Sequence, residues 1–485
     1  MEDETRIEEE QPPDEEQPRE EKGRISRKRF LGTVAGASVG GLALGGILAA
    51  CGGSGDEEAA TTAAAGGEAA TEAGATTAAG QTAANAGQPI VIGSAYPFEN
   101  APTDAEQMER GSGLAIAEIN NAGGVAGRPI EQTIVDMNSF DGESVSSAFN
   151  ELASQEPDAI ILGYHNVMEP NEILAAYGAP FLNASTSVAQ VDLMKSDPEK
   201  FKNIFQADPT EVPYGTGFPP FLEALIATGS FNPPQKTIFI VEGDIVYGQV
   251  ISQACQDAAP DYGWEIVGVS PVDTAGGTAP VTDWTPFLNE IRETGAAATF
   301  NTHWSPADHA AFMKAWVADP PDSFVYLQYG ASVPEFLDIA GDAANGAVWA
   351  TVLGTMNDPV GLGFQERYQA MWDAPAGFSN AGTGYDEIYM LAHAWGITGD
   401  PRNFDANIVE LKRNIMRGVS GGYWFGHDDA NYCLSYPAEI QDPSLGNPHL
   451  FFEILPDDSG QLSHQIIDPV PYVQAAYVQP PWLSF

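Results

Sequence analysis

From Pro89 onward, short runs of β-branched and aromatic residues alternate with stretches of helical periodicity. This alternation restricts the fold more than any other feature. Strands separated by helices pair in parallel through crossovers, which leads to α/β sheets covered on both faces. The candidate strands are Pro89–Tyr96, Asp158–Gly163, Ala179–Ala184, Thr237–Glu242, Trp264–Val269, Ala296–Asn301, Phe324–Gln328 and Ala347–Leu353. Helical stretches such as Pro306–Ala318 and Tyr385–Gly396 separate most of them. Thr103 and Glu106 have capping-box spacing and predict a helix with Met108, Ala115 and Ile119 on one side, ended by Gly123-Gly124. A chain of 485 residues, 43% of them hydrophobic, can build two or three cores. The expectation is therefore two mainly parallel sheets flanked by helices. From Gly421 the pattern changes: Tyr423–Phe425 and Leu450–Leu455 read as added strands, and the tail through Pro480-Pro481-Trp482 reads as a surface strap.

The segment before this body has a different character. Residues 1–22 are acidic and almost free of large apolar side chains, a composition that does not support a core. A basic cluster, Arg24 to Arg29, then precedes an uncharged Gly- and Ala-rich stretch from Leu31 to Ala50. Basic, apolar, then small residues is the order of a signal peptide. Leu48-Ala49-Ala50-Cys51 resembles a bacterial lipobox, which implies lipid attachment at Cys51 and a signal peptide spanning residues 1–51. Ser26-Arg27-Lys28-Arg29-Phe30-Leu31 resembles a twin-arginine export signal, with Lys28 where that pattern has an arginine; both the twin-arginine and general secretion routes stay open. Residues 52–88 are Ala, Gly and Thr with a few acids, a flexible tether with an r.m.s. reach of roughly 30–35 Å.

Charge and cysteine content exclude several functions. The formal net charge is −47, and residues 51–485 alone hold 56 acidic against 13 basic side chains. Such a field repels phosphates, so no nucleic-acid partner is expected. No Cys or His cluster has metal-ligand spacing, and neither metal nor other cofactor is expected. With Cys51 assigned to the anchor, Cys255 and Cys433 form either one disulfide or two separate buried thiols. Gly36-Ala37-Ser38-Val39-Gly40 fits a hydrolase nucleophile-elbow pattern, but it lies inside the signal segment, where no strand–turn–helix scaffold is available; an enzyme is not expected.

In open α/β sheets, ligands bind beyond the carboxyl ends of the strands. The residues falling there are Tyr96; Tyr164, His165 and Asn166; Ala184, Ser185 and Thr186; Asp208 and Glu211; Tyr247; Trp304; and Tyr329. Aromatic rings with hydroxyls on one side and carboxylates on another suit a small polar ligand, a cation included.

One stretch is more specific. Glu118-Ile119-Asn120-Asn121-Ala122-Gly123-Gly124-Val125-Ala126-Gly127-Arg128 closely resembles the E-I-N-x-x-G-G-x-x-G-R segment of leucine/isoleucine/valine-type solute-binding proteins, the periplasmic-binding-protein type I receptors of ABC importers. Tyr247-Gly248 looks like that family's ligand-contacting pair, and Ala184-Ser185-Thr186 is similar to its carboxylate-binding turn. The resemblance spans roughly residues 89–425. It implies two α/β lobes joined by three hinge crossovers: 89–206 with 355–420 as lobe 1, and 207–354 with 421–485 as lobe 2 and its strap. It also implies that Thr186 and nearby N–H groups hold a carboxylate, that Asp208 or Glu211 meets an ammonium, and that Tyr247, Trp304 and Tyr329 wall the cleft. Tyr164-His165-Asn166 departs from the small hydroxyl residues usual after this strand, making the cleft bulkier; amides, urea-like compounds and amino acids are all candidates. The implied protein is a monomeric lipoprotein on the outer face of the cytoplasmic membrane, delivering a small solute to an ABC permease. A sensor of the same fold is the alternative.

Overall fold

The computed structural model describes residues 87–428 and 430–485. The signal peptide, Cys51 and nearly all of the tether lie outside the described residues. Two sheets organise the rest. The first has the order β2-β1-β3-β4-β5, all parallel: β1 Ile90–Tyr96, β2 Ile130–Asp136, β3 Ala159–Leu162, β4 Phe181–Asn183 and β5 Ile204–Gln206. In the second sheet, β6 Thr237–Glu242, β7 Glu265–Pro271, β8 Ala298–Asn301, β9 Phe324–Leu327 and β10 Val348–Thr351 are parallel, in the order β10-β9-β8-β6-β7.

The central strands are buried almost throughout and mostly apolar because both of their faces are covered. In β3, Ala159 and Ile161 enter one core while Ile160 and Leu162 enter the core on the opposite face. In β6, Ile238 and Ile240 alternate with Phe239 and Val241 in the same manner. Edge strand β2 is different: its Glu131, Thr133 and Asp136 face outward, and this polarity hides it from a search for apolar runs.

The helix Pro102–Asn121 begins at Ala101 with proline in its first turn, not in a capping box. Thr103 instead donates its hydroxyl to Glu335 (2.7 Å), and Glu106 pairs with Arg110. The glycine stop is required by geometry. Gly124 has φ +74°, and a Cβ there would lie 2.1 Å from the Arg128 carbonyl oxygen. Asn120 closes the same turn by accepting from Ile130 N (2.7 Å) and donating to Ile130 O (2.9 Å). Glu118 accepts from Arg367 (2.6 Å), Tyr385 (2.6 Å) and Tyr389 (2.9 Å), tying this helix to those at Pro359–Trp372 and Asn380–Thr398. The motif that carried the resemblance is thus a scaffold.

The chain crosses between the sheets three times. It leaves the first after β5, returns after β10 to lay helices Pro359–Trp372, Asn380–Thr398 and Phe404–Arg413 on the first-sheet core, and crosses again near the end. That last passage comes after Cys433, later than the change of character at Gly421. The hairpin of β11 Ile415–Arg417 and β12 Gly422–Trp424 puts Tyr423 and Phe425 in the first-sheet core, and residues 431–433 run along β5, with Gln206 N donating to Asn431 O. A short pair, β13 Ser435–Tyr436 and β14 Asn447–Pro448, sits in this crossover. β15 Leu450–Pro456 and β16 Leu462–Asp468 then extend the second sheet antiparallel beside β10. In the tail, Val478 N donates to Glu453 and Ser484 to Asp322.

Cys255 and Cys433 are free and buried in different cores, so the structure corrects the disulfide alternative in favour of two separate thiols. Among the described residues no helix is long and apolar enough to cross a membrane, and no group of three metal-ligating side chains occurs.

Candidate functional site

The carboxyl ends of both parallel sheets open onto one cavity, part of it solvent-connected. One side is built by Tyr164 and Asn166 after β3 and by Ala184, Ser185 and Thr186 after β4. The other carries Tyr247 after β6, Trp304 after β8 and Tyr329 after β9. Eight of the twelve residues predicted to touch ligand therefore converge here.

Asp104 lies behind this wall. It is 3% exposed, accepts the Tyr164 hydroxyl (2.9 Å) and the Tyr329 hydroxyl (3.1 Å), and so joins the two sides. Burial pushes its carboxyl up to about 6, against the lowering effect of the two phenol hydrogen bonds. Asn380, at the start of its helix, lines the cavity and donates to the Tyr329 hydroxyl. Gln328 donates to the Tyr247 hydroxyl, which fixes that ring. Phe140 packs edge-on against Trp304 at 5.4 Å between ring centres, another contact across the cleft.

The remaining four predicted residues lie elsewhere. Tyr96 is buried in the first-sheet core, donating to Ser112 (3.1 Å) and accepting from Gln132 (3.1 Å). It lines a small void beside Glu387 instead of the cleft. His165 turns inward, donating from Nδ1 to the Val167 carbonyl (2.6 Å) against Phe149, and burial lowers its pKa to about 4. Asp208 and Glu211 are 0% and 3% exposed and do not reach the cavity. Asp208 accepts both the N–H (3.2 Å) and the hydroxyl of Thr186, and Glu211 accepts Val188 N (2.7 Å). Burial raises Asp208 well above the carboxylate range and Glu211 to about 7.

These bonds alter the expected turn. Thr186 sits at φ +47°, a conformation uncommon for a β-branched residue, and its donors are already spent on Asp208. Sequence reasoning missed Asp104, Asn380, Phe140, Ile245 and Leu353 as parts of the site. Asp104 reads as an ordinary first-turn acid and Asn380 as a helix opener, so no local pattern marks either.

Residues 89–429 match the family described as periplasmic binding protein. A solved structure from Silicibacter pomeroyi, assigned provisionally to branched-chain amino acid ABC transport, is 34% identical over 82% of this chain and 100% of its own, with a TM-score of 0.74. The substrate-binding protein of a Streptococcus pneumoniae branched-chain amino acid transporter, solved with isoleucine, has a TM-score of 0.61 at 16% identity, covering 79% and 100% of the two chains. A solute-binding protein from R. palustris, solved with benzoate, has a TM-score of 0.60 at 16% identity, covering 81% and 99%. The latter two likenesses are of fold alone. None of the curated proteins is significantly similar to the chain.

Proposed function

The chain belongs to the periplasmic binding protein family, and we propose that it is the exported solute receptor of an ABC importer. It would capture a small polar solute between its lobes and deliver it to a membrane permease. One observation carries this reading: a cleft lined from both sheets by aromatic rings, with a buried carboxylate bonded to a tyrosine of each side. Such a cleft has walls for a small molecule and no nucleophile–base pair for turnover. Amino acids, amides and urea-like compounds are the solute classes considered. Lipid attachment at Cys51 and the tether of residues 52–88 would keep the receptor beside its permease, at the outer face of the membrane.

The test is thermal melting of the full chain against amino acids, amides, urea and amines. A ligand in about hundredfold excess over its Kd adds about 2.7 kcal/mol of stability, a clear shift. If no solute moves the melt while an ester or peptide is hydrolysed, the receptor reading fails. Incorporation of labelled fatty acid that disappears in Cys51→Ala would support the anchor, and equal incorporation in both proteins would remove it.

A further inference from the structure

Resting on that receptor reading, we propose that the solute is a small organic cation bearing no carboxylate, such as a primary amine, and that Asp104 is the residue that selects its charge. Three observations meet at the cleft.

First, the donors that an α-carboxylate needs are already used. Ala184 N donates to Gly163 O (2.7 Å), Ser185 N to Asn183 (3.2 Å) and Thr186 N to Asp208 (3.2 Å). Ser187 N donates to Gln206 (3.2 Å) and Val188 N to Glu211 (2.7 Å). Five consecutive amides are satisfied within the fold, and the Thr186 hydroxyl is as well. Neither lysine nor arginine lines the cavity. An anion entering here would find no free amide at this turn and no counter-charge, and the Asp104 carboxyl stands behind the wall.

Second, two hydroxyls at the cleft can accept from a ligand, beside an unpartnered donor, the Trp304 indole N–H. Tyr164 and Tyr329 both direct their hydroxyl protons to Asp104; the Tyr329 oxygen also accepts from Asn380, so the Tyr164 oxygen is the phenol acceptor left for a ligand. Ser185 is 4% exposed and lines the cavity, yet its Oγ has no hydrogen-bond partner. A buried hydroxyl without a partner costs free energy until something in the cavity bonds to it.

Third, the electrostatics of this site are uncompensated. Among the described residues Asp104 makes no ion pair; its neighbours are two phenols, an amide and the carboxylate of Glu335. A buried carboxylate of this kind is stabilised when a cation arrives within a few ångströms. The rings of Tyr164, Tyr247, Trp304 and Tyr329 line the cavity, and aromatic faces attract an ammonium. The charge, the acceptors and the rings all favour the same partner.

The deciding experiment is calorimetry and melting of the full chain with matched ligands. Isopentylamine and phenethylamine are leucine and phenylalanine without their carboxylates; isocaproate and hydrocinnamate are the same frames without their ammonium groups. The amines should bind roughly tenfold or more tightly than the amino acids, and the acids should not bind. Asp104→Asn should weaken the amines by roughly tenfold, and Ser185→Ala, which leaves Asp104 in place, should weaken them severalfold should the first variant not fold. If an amino acid or an acid binds more tightly than its amine, the cation proposal is overturned while the receptor reading stands. If none of the six compounds binds, the cation proposal is overturned, and the receptor reading is then judged on the amides and urea of the melting panel.

Discussion

Glu453 offers a direct measure of how the second sheet carries buried charge. It lies in β15, fully buried; its Oε2 accepts Val478 N (2.9 Å) and its Oε1 has no partner. Burial raises its pKa from 4.5 to about 8. The folded state therefore holds a proton that the unfolded chain releases. Stability is undiminished below the unfolded value of 4.5 and is lost as pH rises toward about 8. At about 1.4 kcal/mol per pH unit, the penalty reaches about 3 kcal/mol at pH 7. Gln in place of Glu keeps an acceptor for Val478 N and removes the titration. Urea unfolding of the wild type and Glu453→Gln at about pH 5.5 and about pH 7.5 should show the difference between them moving by about 2–3 kcal/mol in favour of the variant at the higher pH. Parallel behaviour, with that difference changing by less than about 0.5 kcal/mol, would refute the reasoning.

Trp304→Ala should weaken ligand binding by roughly tenfold or more while leaving the unfolding midpoint nearly unchanged, since the ring lines the cleft and meets Phe140 across it; calorimetry with unchanged affinity would mean that the cleft is misplaced. Asn120→Ala should destabilise the chain by about 1–3 kcal/mol in urea unfolding, because Ile130 loses both partners of its backbone groups. Cys255 and Cys433 should resist alkylation in the native protein and both react after denaturation without reductant, as mass spectrometry of labelled peptides will read.

What could be read from the sequence follows burial. Strands β1, β3, β6, β8 and β10 are buried along nearly their whole length and mostly apolar because both faces are covered, and their positions were expected within two residues or so. Strands β2 and β16 escaped because each is a sheet edge with one side open to solvent, so polar residues interrupt the run. The same logic divides the site. Tyr247, Trp304 and Tyr329 follow directly from strand ends, whereas Asp104 and Asn380 come from helix starts that only the tertiary fold brings beneath those rings. Tyr96 and His165 stand at strand ends too, but both turn inward to satisfy buried partners. A strand end thus locates a cleft without saying which side chains face it.

The hold of Asp104 on Tyr329, together with that of Glu335 on Thr103, has a consequence for transport. Both bonds span the gap between the lobes. Any opening of the cleft requires these two hydrogen bonds to part. In the proposed receptor role, ligand contact and cleft opening would meet at the Asp104 carboxylate, and an alteration there should change solute release as well as affinity.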